Sequence, residues 1–363
     1  MRAILLTFLF TQLFTVALAS PTAEIITPSL LGLPKPPFSR EGVAGSAQVT
    51  LGERLFFDAR LSADGKTRCA SCHQPEKAFS DGLRVSQGSA GRLGTRNAPS
   101  LINVAFASSL FWDGRRDTLE AQVLDPFTNP NEHDLVSRDA LVEKIDADKT
   151  YRKAFASAFG GDKEQTITAQ RITQAISAYL RSLVAGGSPV DRFLYGGDKN
   201  ALTPAAARGL ELFRGRAGCA ECHVIGMHDA LLSDGKFHSL GVGMEDIRPR
   251  LAMLTTRAVR RNAPLDHTVL QDAELAELGR FLVTRDPHDI GKYKTPSLRN
   301  VGLTAPYMHN GKVATLEEAV EREIYYRGFT TNRPLIVTPS EKEDLVAFLQ
   351  SLTSEILPLF SGE

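Results

Sequence analysis

The chain has 363 residues, which is long enough for two domains of ordinary size. Its 42 basic and 42 acidic side chains balance, and 42% of its residues are hydrophobic, as is usual in globular proteins. No block of lysine and arginine marks a nucleic-acid or membrane-surface patch, so we expect neither of these partners.

The N-terminus has the three parts of a secretory signal peptide. Arg2 supplies a positive start, residues 3–16 are largely apolar, and Ala17-Leu18-Ala19 fits a signal-peptidase site. The alternative is a membrane anchor, but the apolar stretch is short for a membrane span. We therefore predict a signal peptide over residues 1–19, export to the periplasm, and no membrane span after cleavage.

All four cysteines fall into two copies of Cys-x-x-Cys-His, formed by Cys69, Cys72 and His73 and by Cys219, Cys222 and His223. The alternatives are disulfides, a redox-active cysteine pair and a zinc site. A redox pair does not require the histidine, and a zinc site would have to join two distant motifs. Two thiols for the haem vinyl groups and an imidazole for the iron are what a c-type haem requires. We therefore predict two covalently bound haems.

The sequence around the two motifs indicates a weak internal repeat and a domain boundary. Similar phrases, Leu51–Phe56 and Gly209–Phe213, precede the two motifs, and each is predicted to form a helix that packs leucine and phenylalanine against a haem. An apolar stripe at helical spacing covers residues 169–183 and ends at a glycine-rich stop before Pro189. We predict a capping box at Thr338 and a final helix that buries apolar residues of 345–352.

Strand-like alternation is scarce, and residues 82–94 and 226–249 are rich in glycine and polar residues. The predicted fold is therefore mainly α, with two c-type cytochrome-like haem domains and irregular loops that wrap the haems. The domains are predicted over residues 20–187 and 188–363.

Several longer stretches resemble the bacterial diheme cytochrome c peroxidases and their MauG-type relatives. The similarity covers nearly all of the chain after the predicted signal peptide, and the stretches occur in the family's order. They read LFFDARLSADGKTRCASCH, RNAPSLIN, FWDGRRDTLEAQ, LSDGKFHSLGVG and TPSLRNVGLTAPYMHNGKVATLEEAV.

The resemblance implies roles for the two haems and for the residues near them. The first haem would be peroxidatic and the second would transfer electrons. Trp112 matches a tryptophan between the haems, and Gln122, Pro126 and Glu132 match distal-pocket residues. Glu132 would move a proton between the two peroxide oxygens. Without the resemblance, Trp112 would be read as a core aromatic residue and Glu132 as a surface acid.

A calcium ion is also implied by the resemblance. Asn97, Thr304 and Pro306 match positions that bind Ca²⁺ between the haem domains, the last two through their backbone carbonyls. Oxygen ligands completed by water suit this ion.

Two departures from the family pattern bear on function. Where the classical peroxidases place a histidine that closes the peroxidatic iron, this chain has Ser89, so we expect the first haem to be open in the oxidised protein. Where MauG proteins place a tryptophan before their second motif, this chain has Ala217, which argues against the MauG protein substrate.

The resemblance also bears on the sixth ligand of the second haem. The family uses Met or Tyr after TLEEAV, and an alignment with a two-residue insertion selects Tyr325 as the iron ligand, with Met308 as the alternative. His238 and His309 match family histidines that do not bind iron. The other histidines, including His133, are expected to be surface or structural residues.

These expectations describe an exported peroxidase that reduces hydrogen peroxide to water with electrons from a small cytochrome c or copper protein. One alternative is MauG-like, peroxide-dependent oxidation of a protein or organic substrate. Another is a diheme electron carrier without enzymatic activity. The oligomeric state is open, with a homodimer as one outcome.

Overall fold

In the computed structural model, the described residues are 30–36, 46–160, 167–260, 265, 269, 271–330 and 334–358. The predicted signal peptide, residues 1–19, lies outside them. The described chain is mainly helical, as predicted. The helices are α1 (Ser46–Phe56), α2 (Cys69–Cys72), α3 (Leu119–Thr128), α4 (Arg138–Asp146), α5 (Lys149–Phe159), α6 (Ala169–Ser182), α7 (Pro189–Leu194), α8 (Pro204–Arg214), α9 (Met244–Ile247), α10 (Leu251–Arg260), α11 (Ala273–Ala276), α12 (Phe281–Thr284), α13 (Leu316–Thr330) and α14 (Pro339–Gln350).

Short 3-10 helices and strands connect the α-helices. The 3-10 helices cover Ala59–Leu61, Pro75–Lys77, Ser89–Gly91, Val104–Phe106, Cys219–Glu221, Arg248–Arg250, Pro287–Asp289 and Val301–Leu303. The strands are β1 (Leu183–Val184), β2 (Phe237–His238), β3 (Tyr293–Lys294) and β4 (Leu357–Pro358), and they form the antiparallel pairs β1–β4 and β2–β3. No helix in the described ranges combines the length and the apolar character that a membrane crossing requires.

Helices α1 and α6 pack together at a glycine. A Cβ atom built on Gly52 would lie 1.9 Å from the carbonyl oxygen of Ala175, so only glycine permits this approach of the two backbones. One turn later, the buried Phe56 places its ring centroid 5.3 Å from that of Tyr179 on α6. The buried face of α6 is the apolar stripe predicted from the sequence.

Helices α8 and α14 repeat this arrangement in the second half of the chain. A Cβ atom built on Gly209 would lie 1.9 Å from the carbonyl oxygen of Asp344. The ring of Phe213 lies 4.8 Å from that of Phe348 and 6.4 Å from that of His223, between centroids. The helix before each Cys-x-x-Cys-His motif therefore carries Gly-x-x-x-Phe and crosses a later helix at the glycine. The capping box at Thr338, which opens α14, is confirmed.

The apolar core changes near residue 187. One cluster of buried residues runs from Val49 to Ala185 and contacts Cys69. A second cluster runs from Val190 to Leu352 and contacts Cys219. A smaller third cluster, residues 247–282, lies within the span of the second. Each motif is therefore packed against its own core.

Segments near both ends of the described chain contact the half of the molecule on the other side of residue 187. Strand β4, near the C-terminus, pairs with β1 at the end of the first cluster. Residues 30–36 contact the second half, where the buried Arg299 donates to the Gly32 carbonyl at 2.5 Å. Arg299 also forms a buried ion pair with Asp191 at 2.5 Å, and the amide of Ala230 donates to Gly32. A single domain boundary after residue 187 would therefore separate segments that are in contact in this structure.

The two segments predicted as loops differ. Residues 82–94 are irregular except for the turn Ser89–Gly91 and an isolated antiparallel bridge between Gln87 and Leu93. Residues 226–249 also contain β2, α9 and the start of a 3-10 helix, so the prediction of an irregular loop was incomplete there. Strand β2 forms because it pairs with β3, which lies far away in the sequence, with Phe237 opposite Lys294.

The glycine crossings lead to a stability prediction. Gly52→Ala and Gly209→Ala should each destabilise the protein by about 1–3 kcal/mol or more, because the added methyl group meets a backbone carbonyl that cannot move alone. Thermal unfolding followed by circular dichroism should show the lower midpoints. Gly302→Ala is the control, since its Cβ atom would meet nothing closer than 3.5 Å. Equal midpoints for all three variants would contradict the assigned crossings.

Candidate haem sites

The histidine of the first motif is oriented by a backbone hydrogen bond. His73 Nδ1 lies 3.0 Å from the carbonyl oxygen of Phe79. Because a carbonyl oxygen only accepts, Nδ1 carries the proton and Nε2 keeps its lone pair for a metal. Burial lowers the pKa of His73, which favours the neutral ring that a metal binds. Phe79 adopts a left-handed conformation with φ of 57°, and this directs its carbonyl toward the ring.

The second motif repeats the same geometry. His223 Nδ1 donates to the carbonyl oxygen of Leu232 at 2.8 Å, and Leu232 also has a positive φ, of 56°. Burial again lowers the pKa of the imidazole. Both motifs therefore present a neutral histidine with Nε2 available for iron.

The four thiols are suited to covalent attachment. No cysteine forms a disulfide, and all four side chains are partly buried. Burial raises the pKa of Cys69, Cys72 and Cys219 to about 12 and also raises that of Cys222. Two unpaired thiols beside an oriented histidine fit a c-type haem at each motif.

A cavity of about 560 Å³ adjoins the second motif. Cys219, Cys222 and His223 line one part of it, and Trp112 and Gln122 line another. Its volume is in the range of cofactor-binding cavities. The cavity therefore reaches from the second motif to residues that the sequence assigned to the first haem.

Trp112 is held in place by one hydrogen bond of its side chain and one of its backbone carbonyl. Its indole Nε1 donates to the carbonyl oxygen of Asn97 at 2.9 Å, and its own carbonyl accepts from the backbone amide of Lys294 at 2.8 Å. Asn97 belongs to the first half of the chain and Lys294 to the second. Trp112 therefore lies where the two halves of the chain meet, and it is one of the residues that line the cavity.

Two of the proposed distal-pocket residues lie on helix α3. Gln122 lines the cavity, and its buried Oε1 accepts no hydrogen bond within the described residues. Such an unsatisfied acceptor is costly unless a bound molecule supplies a donor. Pro126, one turn later, accepts hydrogen bonds through its carbonyl from the amides of Asn129 and His133, and so shapes the turn that leads to Glu132.

Glu132 lies close to the first motif. Its negative charge adds to the effect of burial in raising the pKa of both the Cys69 and the Cys72 thiol. The loop with Ser89 packs directly on this residue, since the Ser89 amide donates to the Glu132 carbonyl at 2.7 Å. A Cβ atom on Gly88 would lie 2.1 Å from the carbonyl oxygen of Asn131, so glycine is needed at this contact.

The three residues expected to bind calcium line the cavity together. Asn97 Nδ2 donates to the Leu83 carbonyl at 2.8 Å, so the amide oxygen is directed away from Leu83. Within the described residues, neither the Thr304 nor the Pro306 carbonyl accepts a backbone hydrogen bond. A carboxamide and two unused carbonyls fit the oxygen ligands that Ca²⁺ takes.

The structure does not bring Tyr325 to the cavity. Its side chain is 57% exposed, and its ring packs edge-on against Tyr326. Met308 does line the cavity, as does Glu323, which lies on the same helix as Tyr325. The assignment of Tyr325 as an iron ligand stays a prediction and has no support from this geometry.

Two buried features near the sites were given no specific role from the sequence, where His133 was expected only to be a surface or structural residue. Asp113, beside Trp112, is fully buried between Arg96 at 3.1 Å and Arg115 at 3.0 Å. Burial would raise its pKa, but the charges of Arg115 and Arg96 outweigh burial and hold the pKa below its usual value. The sequence signal for this buried ion-pair cluster was the acid followed by two arginines in the FWDGRR stretch.

His133 is the second such feature. It is buried, donates from Nδ1 to the Leu61 carbonyl at 3.0 Å, and places Nε2 4.0 Å from Cys69 Sγ. Burial lowers its pKa to about 4. It supports the first attachment site as a neutral structural residue, and a lone histidine gives no sequence signal for such a position.

Comparisons with known proteins agree with this geometry. A family model described as di-haem cytochrome c peroxidase matches residues 46–200. Cytochrome-c peroxidase IdrP2 of Denitromonas iodatirespirans is 37% identical over 323 residues, which cover 87% of this chain and 84% of the relative. The methylamine utilization protein MauG of Methylorubrum extorquens is 35% identical, with 85% of this chain and 78% of the relative covered.

A solved structure is similar over most of its length. The crystal structure of a MauG-like protein associated with microbial copper homeostasis has a TM-score of 0.70 and 33% identity, and the match covers 89% of this chain and 94% of that one. At these identities and coverages, the chain belongs to the diheme cytochrome c peroxidase and MauG family, whose members are oxidoreductases that carry two c-type haems and act on hydrogen peroxide.

Proposed function

We propose that the chain reduces hydrogen peroxide to water at the site of Cys69, Cys72 and His73, in the periplasm. A small cytochrome c or copper protein supplies two electrons, which enter at the site of Cys219, Cys222 and His223. One peroxide molecule takes up two electrons and two protons and gives two water molecules. The haems, when bound, supply the iron that binds peroxide and the capacity to store and pass on electrons.

The position of Glu132 carries this proposal. Its charge acts on both thiols of the first motif, and the loop of Gly88 and Ser89 packs on its backbone, which supports a role for this acid at the first site. We infer that Glu132 takes the proton from one peroxide oxygen and returns it to the other. The O–O bond then breaks heterolytically, and water leaves.

Gln122 and Pro126 have supporting roles in this proposal. The unsatisfied Oε1 of Gln122 accepts a hydrogen bond from peroxide or from a bound water, and so orients it. Pro126 has no amide proton to donate, and its carbonyl holds the turn before Glu132. Neither residue exchanges a proton itself.

Trp112 is the candidate link between the two sites in this proposal. It lines the cavity that extends from the second motif, and its hydrogen bonds tie it to both halves of the chain. We propose that electrons pass by this side chain. A calcium ion held by Asn97, Thr304 and Pro306 would keep the Asn97 carbonyl, and with it the indole, in place.

MauG-like oxidation of a protein or organic substrate is the second candidate. It is favoured by Ser89, because this residue leaves the first site without the closing histidine of the classical peroxidases. Slow turnover with peroxide and reduced small cytochromes, together with rapid reaction of the oxidised protein with peroxide, would select this candidate.

Glu132→Gln should slow peroxide cleavage by about 10²–10⁴-fold, since the amide keeps the shape but cannot carry the proton. Stopped-flow mixing of the oxidised protein with peroxide measures this rate, and the haem spectra should remain nearly intact. The matched control is Glu120→Gln, the same change at an acid whose carboxylate pairs with Arg181 at 2.6 Å. A rate for Glu132→Gln equal to that of the control would remove Glu132 from the mechanism.

The oxidised protein should react with peroxide without prior reduction, because Ser89 cannot close the first iron. Ser89→His should give a six-coordinate first haem and a requirement for reduction, both visible by absorption spectroscopy. Gln87→His is the control, since it adds the same side chain at an exposed position of this loop. A wild-type protein that responds only after half-reduction would show that another residue closes this site.

A further inference from the structure

One face of helix α13 lines the cavity at the second motif. The lining residues of this helix occur at helical spacing and are Leu316, Ala319, Val320, Glu323, Ile324 and Arg327. Glu323 is the acid among them, and it lies in the middle of an otherwise apolar stretch of this face. Its negative charge reaches both Cys219 and Cys222, where it adds to the effect of burial in raising the thiol pKa values.

The cations near Glu323 are engaged elsewhere. Arg327 donates to the Gly218 carbonyl at 2.7 Å and to the Glu221 carboxylate at 2.9 Å. His238 pairs with Asp234 at 2.7 Å. Among the residues that the structure describes, no side chain or amide hydrogen-bonds with the Glu323 carboxylate. Burial raises the pKa of Glu323, and the charges of Arg327 and His238 oppose this effect only in part, so the ionised carboxylate needs a further cation such as a metal ion.

The other candidate ligands fit less well. Tyr325, two positions later, lies outside the cavity with 57% of its side chain exposed. Its alignment with the family ligand required a two-residue insertion, and without that insertion the ligand position falls on residue 323. Met308 lines the cavity, but it belongs to the PYMHNG stretch rather than to the helix that carries the ligand in the family.

We propose that the Glu323 carboxylate would serve, together with His223, as a protein ligand of the iron of the second haem. The assignment rests on the proposed function, because it needs a haem at this motif. An anionic oxygen ligand compensates the positive charge of ferric iron, so it lowers the reduction potential relative to methionine ligation. The iron also adds a directly bound cation to the more distant charges of Arg327 and His238.

The test uses the purified two-haem protein and its spectra. A carboxylate is a weak-field ligand, so the second haem of the oxidised wild-type protein should be high-spin by electron paramagnetic resonance. Glu323→Met should convert it to low spin, with the charge-transfer band of methionine ligation and a raised reduction potential. Glu323→Gln should also raise the potential. Tyr325→Phe, on the exposed face of the same helix, is the control and should change neither property.

The outcomes separate this assignment from the proposed function. Unchanged spectra and potential in both Glu323 variants, with two haems still bound, would overturn the assignment and leave the peroxidase proposal standing. A spectral change in Met308→Leu or Tyr325→Phe, but not in the Glu323 variants, would overturn it as well. A wild-type protein that matures without the second haem would contradict the proposed function and this assignment together.

Discussion

The hydrogen bond from each motif histidine to a backbone carbonyl is the constraint on which both sites depend. His73 donates to the carbonyl of Phe79 and His223 donates to the carbonyl of Leu232, and both accepting residues adopt a left-handed conformation that such residues rarely take. The chain after each motif must turn back to supply that carbonyl, which explains why these segments are irregular. The bond selects the tautomer, and burial keeps the ring neutral, so that Nε2 is ready for iron.

The helix crossings at Gly52 and Gly209 position the chain around the two motifs. Gly52 and Gly209 bring a helix into backbone contact with a later helix. One turn on, Phe56 packs near Phe79, and Phe213 packs near His223. Because the same helix crossing precedes both motifs, the chain contains two similar units. Its function depends on how these two units differ. The first has Glu132 near its thiols, while the second faces a cavity with Glu323, and Trp112 lies between them.

The sequence predicted those features that depend on local pattern. The two motifs, the stripe of α6, the capping box at Thr338 and the Gly-x-x-x-Phe phrases are all visible in neighbouring residues. It did not predict contacts between distant segments, such as the β2–β3 pair or the packing of Gly32 on Arg299. The ligand of the second haem depends on which face of α13 meets the cavity, and the tyrosine pair at 325 and 326 did not indicate that face.

The most direct test of the account is the stoichiometry of the catalysed reaction. Purified protein with two covalent haems would be mixed with hydrogen peroxide and a reduced small cytochrome c, and both peroxide consumed and donor oxidised would be counted. The account predicts two donor molecules oxidised for each peroxide molecule, because one peroxide takes two electrons to become water. Peroxide consumption without donor oxidation, or no consumption by the two-haem protein, would contradict it.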